Sequence, residues 1–151
     1  MLILRRSLVI GLSSLWCASI TLAEPPTNPE ARKIYDHDYQ WLENMQVNFI
    51  AANIRGADDT QYKERRQAAL DLLRKKRDLT TVPELMDELQ RGSFLSGEIC
   101  DMLGEWHAKK ALPLLKEVAE DSKRPKDVRE KAKKAIVTIN SAPVEAAPPQ
   151  Y

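Results

Sequence analysis

Between residues 29 and 139 the apolar positions return every third or fourth residue, the spacing of one face of an α-helix. Tyr35, Tyr39, Leu42, Met45 and Phe49 form the first such stripe. Asn28 reads as its N-cap, Pro29 as its first residue, and Glu30 sits where the helix dipole favours an acid. The spacing predicts one long amphipathic helix running to near Gly56. Asp58 or Asp59 can cap a second, about 60–77, that buries Tyr62, Ala69, Leu72 and Leu73. Thr81 and Glu84 have the spacing of a capping box ahead of Val82, Leu85, Met86 and Leu89, and Gly92 stops that helix. Ser96 reads as the cap of a fourth helix through Leu103, with Gly104 near its end. Lys109 to Glu120 is the fifth, with Leu112, Leu115, Val118 and Ala119 inward. The sixth starts at Pro125 or Asp127 and turns Val128, Ala132, Ala135, Ile136 and Ile139 inward. No segment alternates with the period of two that a half-buried strand needs. The pattern is that of an all-α chain of about six helices joined by short loops.

The two ends follow other rules. MLILRRSLVIGLSSLWCASITLA, residues 1–23, has basic Arg5 and Arg6, an apolar stretch from Ser7 to about Ile20, and Thr21-x-Ala23 before Glu24. That is the order of a secretory signal peptide, with cleavage expected after Ala23. The apolar run falls short of the ~20 residues of a spanning helix and is diluted by serines. The expectation is therefore export, to the periplasm, with no stable membrane insertion after cleavage. Residues 24–28 are Pro-rich and read as a loose leader, and 141–151 (SAPVEAAPPQY) as a disordered Pro/Ala tail with too little apolar surface to fold. Residues 24–58 are then an N-terminal segment with a capping helix, and 59–140 carry the remaining helices.

Charge narrows the partners. The chain has 23 basic and 22 acidic residues. Cleavage would remove two of the former and none of the latter, leaving a nearly neutral domain. Nucleic-acid binding wants a clear basic excess and is not expected. Cys17 leaves with the signal, so Cys100 has no internal partner for a disulfide, and its place on an apolar helix face reads as core.

A repeat is visible in the residues. Val82-Pro83-Glu84-Leu85 and Leu112-Pro113-Leu114-Leu115 align with a shift of thirty, while Ala69, Cys100 and Ala132 fall at shifts of thirty-one and thirty-two. Leu72, Leu103 and Ala135 follow in phase, and Arg66 and Arg129 each precede a small residue by three. One helix pair per period of about thirty is the mark of an α-solenoid. Leu103-Gly104-Glu105, Ala111-Leu112-Pro113-Leu114-Leu115 and Val128-Arg129-x-x-Ala132-x-x-Ala135-Ile136 resemble the HEAT-repeat pattern, in the short bacterial form also seen in phycobilisome-lyase-like proteins. In the connector, Trp106-His107-Ala108 replaces the family's aliphatic, Gly and acidic sequence. The resemblance covers about residues 60–140. It implies a short α-solenoid of HEAT-like helix pairs with an N-terminal capping helix. It also implies a structural role for Arg129, bonding to neighbouring loops and helices.

No nucleophile elbow, phosphate loop or cysteine pair is present, and neither His37 nor His107 has metal-ligand partners at a recognisable spacing. The expectation is a protein with no catalytic residues, metal or cofactor of its own. Two features are candidates for binding another protein. Glu98, Asp101 and Glu105 share one helix face, either as an acidic docking strip or paired internally with Arg66, Arg74, Arg129 or Lys133. Tyr35, Tyr39 and Trp41 are aromatic anchors or a cap on the open end of the stack. The expected function is a secreted scaffold for protein–protein interaction. The rival readings are an accessory lyase- or chaperone-like protein that presents a cofactor, and a structural envelope protein.

Overall fold

A computed structural model describes residues 25–55 and 60–141. The signal-like residues 1–23 and the tail beyond Ser141 lie outside them. The described residues form seven α-helices and no strand: α1 Pro29–Glu43, α2 Val47–Ala52, α3 Thr60–Lys76, α4 Val82–Arg91, α5 Ser96–Glu105, α6 Leu112–Glu120 and α7 Lys126–Ser141. Asn28 caps α1 as expected, its Oδ1 accepting from Glu30 N at 2.9 Å and Ala31 N at 3.5 Å. Gly92 ends α4 at φ +82°, a left-handed conformation that a Cβ would strain.

Three local expectations are corrected. The single long first helix is two, because Asn44 closes α1 and Gln46 turns extended (ψ 147°) before α2. The turn moves the buried face from Phe49 to Ile50 and Ala51, while the apolar spacing of the sequence runs on without a break. Thr81 does not form a capping box. Its hydroxyl donates to Asp78 O at 2.7 Å, and Asp78 instead caps a 3₁₀ turn at Leu79–Thr81, accepting from Thr80 N at 2.9 Å. Ser96 likewise spends its hydroxyl on Ser93 O at 2.7 Å and caps nothing.

The connectors repeat. Arg77 (φ 48°) and His107 (φ 51°), thirty residues apart, both adopt the left-handed conformation. Each is followed by a 3₁₀ turn, Leu79–Thr81 or Lys109–Ala111, and then by a helix with proline in its first turn. Pro83 and Pro113 are tolerated there because those backbone N–H positions have no intrahelical acceptor. His107 thus holds the conformation for which glycine would be the unstrained choice.

The helices pack as α2 with α3, α4 with α5, and α6 with α7, while α2 touches α4, α4 touches α6, and α1 lies on α3. Between α3 and α5, Gln67 meets Glu98 and Arg74 meets Glu105. Between α5 and α7, Asp101 meets Lys131 and Gly104 meets Ala135. Every one of these offsets is 30 or 31, so α3, α5 and α7 run in the same direction in one register. The core includes Leu42, Ile50, Leu72, Leu85, Leu89, Ile99, Leu103, Leu115 and Ile139, and Ala69, Cys100 and Ala132 are buried at the small-residue phase. Two residues of the predicted apolar faces depart from it: Phe49 of α2 is 45% exposed, and so is Tyr62, on the outer side of α3.

Candidate functional site

A hydrogen-bond chain, buried at its Tyr35–Asp71 end, crosses three helices. Tyr35 on α1 donates its hydroxyl to Asp71 Oδ2 at 2.7 Å. Gln67, one turn before Asp71 on α3, donates to Asp71 Oδ1 at 3.3 Å and to Glu98 Oε2 on α5 at 2.8 Å. Asp71 is only 3% exposed. Burial raises its carboxyl above the usual range and nearby Glu98 adds to this, while the Tyr35 and Gln67 bonds and Arg74 oppose. Burial also lifts the Tyr35 hydroxyl above its ordinary value, with Asp71 as the next cause.

Two clefts open on this chain. One, about 290 Å³, is lined by Pro25, Arg32, Tyr35, Tyr39 and Asp71 among others. The other, about 450 Å³, is lined by Pro26, Asn28, Lys63, Glu64, Gln67 and Glu98 among others. Asp71 faces the first, Gln67 and Glu98 the second, so the hydrogen-bond chain is the ridge they share. The walls carry both signs of charge, amide and hydroxyl groups and two aromatic rings. Such walls can hydrogen-bond an extended peptide or hold a small polar ligand.

The acidic strip is partnered from both sides. Glu98 accepts from Gln67, and its backbone oxygen accepts from Arg74 Nη2 at 3.2 Å. Asp101 pairs with Lys131 Nζ at 2.8 Å. Glu105 lies 3.7 Å from Arg74 Nε, and its backbone oxygen accepts from Arg77. Arg74 is the expected internal partner. Of the other three, Arg66 forms a buried pair with Glu88 and donates to Ile54 O at 2.9 Å, and Lys133 pairs with Glu130 along its own helix. Arg129, read as bonding to its neighbours, has its Nε buried without a hydrogen-bond partner.

The aromatic trio divides between two faces. Tyr35 and Tyr39 face α3, with ring centroids 5.8 Å apart and Lys75 Nζ 5.8 Å from the Tyr39 ring. Trp41 points outward, 41% exposed, edge-on to Phe49 of α2 at 5.6 Å. The Arg65 guanidinium lies 5.6 Å from the Trp41 ring and 5.9 Å from Tyr62. Arg65 is itself held by Asp38, donating at 3.0 and 3.3 Å.

The sequence reading assigned no site role to Asp38, Arg65, Gln67 or Asp71. A signal existed: Asp38 stands three residues after Tyr35 on the apolar stripe, and Asp71 sits between Leu70 and Leu72 inside a core helix. A carboxylate at an inward position requires a donor nearby. Cys100 is buried, its thiol pushed up to about 12 chiefly by burial, which suits packing and not nucleophilic attack. Among the described residues no group of three or more His, Cys, Asp and Glu could hold a metal, and no helix is long and apolar enough to cross a membrane. Set against family models, curated proteins and solved structures, the chain matches none.

Proposed function

We propose that this chain is an exported, HEAT-like α-solenoid that acts as a scaffold and binds another protein through the cleft face of α1, α3 and α5. The observation that carries the reading is the shared register of α3, α5 and α7, with offsets of 30 and 31 residues and a repeated left-handed connector. A repeat of this kind builds an extended surface from identical units and devotes its residues to stacking. The two clefts lie on the first units of that surface. The order of residues 1–23 supports export, and the near balance of charge supports a protein partner over a nucleic acid.

The test uses capture from envelope extract followed by cross-linking. Arg32 and Lys63 are exposed cations on the cleft walls. Reversing both (Arg32→Glu, Lys63→Glu) is expected to abolish capture and leave the helical circular dichroism intact. Capture by the original chain is expected to weaken with added salt. A well-folded double variant that captures the same partner equally well removes the clefts from the reading. The cofactor-presenting alternative draws on one observation, the aromatic lining of the smaller cleft by Tyr35 and Tyr39. An absorbing group that copurifies with the chain would favour it.

A further inference from the structure

The outward side of the first helices carries a row that the stacking does not use. Phe49, Trp41 and Tyr62 are 45%, 41% and 45% exposed. Along the surface they stand in the order Phe49, Trp41, Arg65, Tyr62, each within about 6 Å of the next. Three elements contribute: Trp41 from α1, Phe49 from α2, Tyr62 and Arg65 from α3. Asp38 fixes the cation at the centre of the row with two hydrogen bonds. Rigid rings standing side by side are the surface that a polyproline II segment recognises. Proline rings stack on aromatic faces, and the preformed helix loses little entropy on docking.

The chain itself supplies a segment of that chemistry. Beyond Ser141 it reads Ala142-Pro143-Val144-Glu145-Ala146-Ala147-Pro148-Pro149-Gln150-Tyr151. It has three prolines, one carboxylate that suits Arg65, and an aromatic ring at Tyr151. We propose that this segment of one copy docks on the Phe49–Trp41–Arg65–Tyr62 row of a second copy.

Reach decides between the same copy and another. In the shared register Arg65 is level with residue 96 of α5 and about residue 127 of α7. Ser141 therefore lies about 14 residues, or ~21 Å, further along the helix direction. At least two helix spacings of ~8–10 Å separate α7 from α3, because α5 lies between them. The straight line is then ~26–29 Å, before any detour around side chains. Pro148 is seven residues past Ser141, and a polyproline II segment covers ~3.1 Å per residue, or ~22 Å. In the polyproline II conformation that the row would recognise, Pro148 falls short of its own row, and it meets no such limit on a neighbouring copy. The contact joins a tail to a different surface, so it is heterologous and extends head to tail or closes as a ring.

Sedimentation velocity of the chain from Glu24 to Tyr151 over a wide concentration range tests this. Reversible self-association is expected. Trp41→Ala with Tyr62→Ala, or Pro148→Ala with Pro149→Ala, is expected to weaken it about tenfold or more. The combined quadruple variant is expected to be no weaker than either pair, since both remove the same contact. Excess peptide of residues 141–151 should dissociate the assembly and shift tryptophan emission, because Trp41 is exposed whereas Trp106 is buried. All four positions lie on the surface or outside the described helices, so the circular dichroism serves as the check on folding. A chain that stays monomeric throughout overturns the proposal. So does association that survives the proline changes, which would make the row a site for another face. Neither result bears on capture through the clefts, which uses different residues.

Discussion

At the α3–α5 contact, Gln67 bonds Glu98, and Arg74 reaches the Glu98 backbone and the Glu105 carboxylate. At the α5–α7 contact the same helix α5 presents glycine to alanine. A Cβ on Gly104 would stand 3.0 Å from Ala135 Cα and 3.1 Å from its Cβ. The two contacts share one register but differ in what sets their distance. In the first, side chains of fixed length span the gap and satisfy one another. In the second, absent side chains let the backbones close until van der Waals contact stops them. The polar contact gives α3 partners on both sides, since Asp71 continues the chain to Tyr35 of α1. The small-residue contact adds to its close approach one partly exposed ion pair, Asp101 with Lys131. Helices in one register can therefore keep their geometry while the chemistry between them changes.

The sharpest break of the second contact is Gly104→Ala. The obstructing atoms include backbone, which cannot rotate away, so α7 must move. Overpacking of this kind costs about 1–3 kcal/mol. The helix-propensity gain of glycine to alanine, about 1 kcal/mol, offsets only part of it. Chemical denaturation is expected to show a clear net loss of stability. A variant as stable as the original would mean that α5 and α7 are further apart than described.

The hydrogen-bond chain that continues the first contact to α1 responds to pH. Asp71 carries a folded pKa raised above its ordinary 3.8 by burial. The folded state thus binds the proton more tightly than the unfolded chain does. Its contribution is fully present below about pH 3.8 and is lost as pH rises through the folded pKa. Asp71→Asn keeps an oxygen for the Tyr35 hydroxyl and has no proton to lose. The variant is expected to gain on the original between pH 4 and pH 7, as read from urea midpoints at the two values. A stability difference that does not change with pH, or that moves the other way, would falsify the assignment of burial as the dominant cause.

The sequence showed more of the second contact than of the first. Ala69, Cys100 and Ala132 at one phase, and Leu103-Gly104 in the next, mark close approach without reference to any partner. Size is a property of one residue and can be read alone. Hydrogen bonding is a property of two. Glu98 and Arg74 were both visible, but their meeting depends on a register that only packing fixes, and Gln67 carries no charge to draw attention. Arg66 went to Glu88 on α4 instead of the strip on α5 for the same reason. The break between α1 and α2 escaped because the apolar spacing of the sequence runs on across the three-residue turn, although Phe49 then faces outward. The caps at Thr81 and Ser96 failed because each hydroxyl had a carbonyl three residues earlier within reach, at Asp78 and Ser93.

The smallest effect is also a control for the largest. Gly97 lies two turns before Gly104 on α5 and also faces α7. A Cβ there would meet Lys131 Cδ at 3.1 Å, with Lys131 Nζ at 3.5 Å. These are atoms of a flexible side chain, so Lys131 can swing aside. The move disturbs its pair with Asp101, whose partners are 39% and 29% exposed. Half-exposed pairs of this kind are worth about 0–1 kcal/mol. The gain from removing glycine from a helix is of similar size, up to about 1 kcal/mol. The two terms nearly cancel, and Gly97→Ala is expected to match the original within about 0.5 kcal/mol in the denaturation that exposes Gly104→Ala. The contrast isolates what lies opposite each glycine, backbone in one case and a side-chain terminus in the other. If both alanines damage the protein equally, Lys131 is held more rigidly than a single exposed carboxylate can account for, and the α5–α7 contact owes more to that pair than to its small residues.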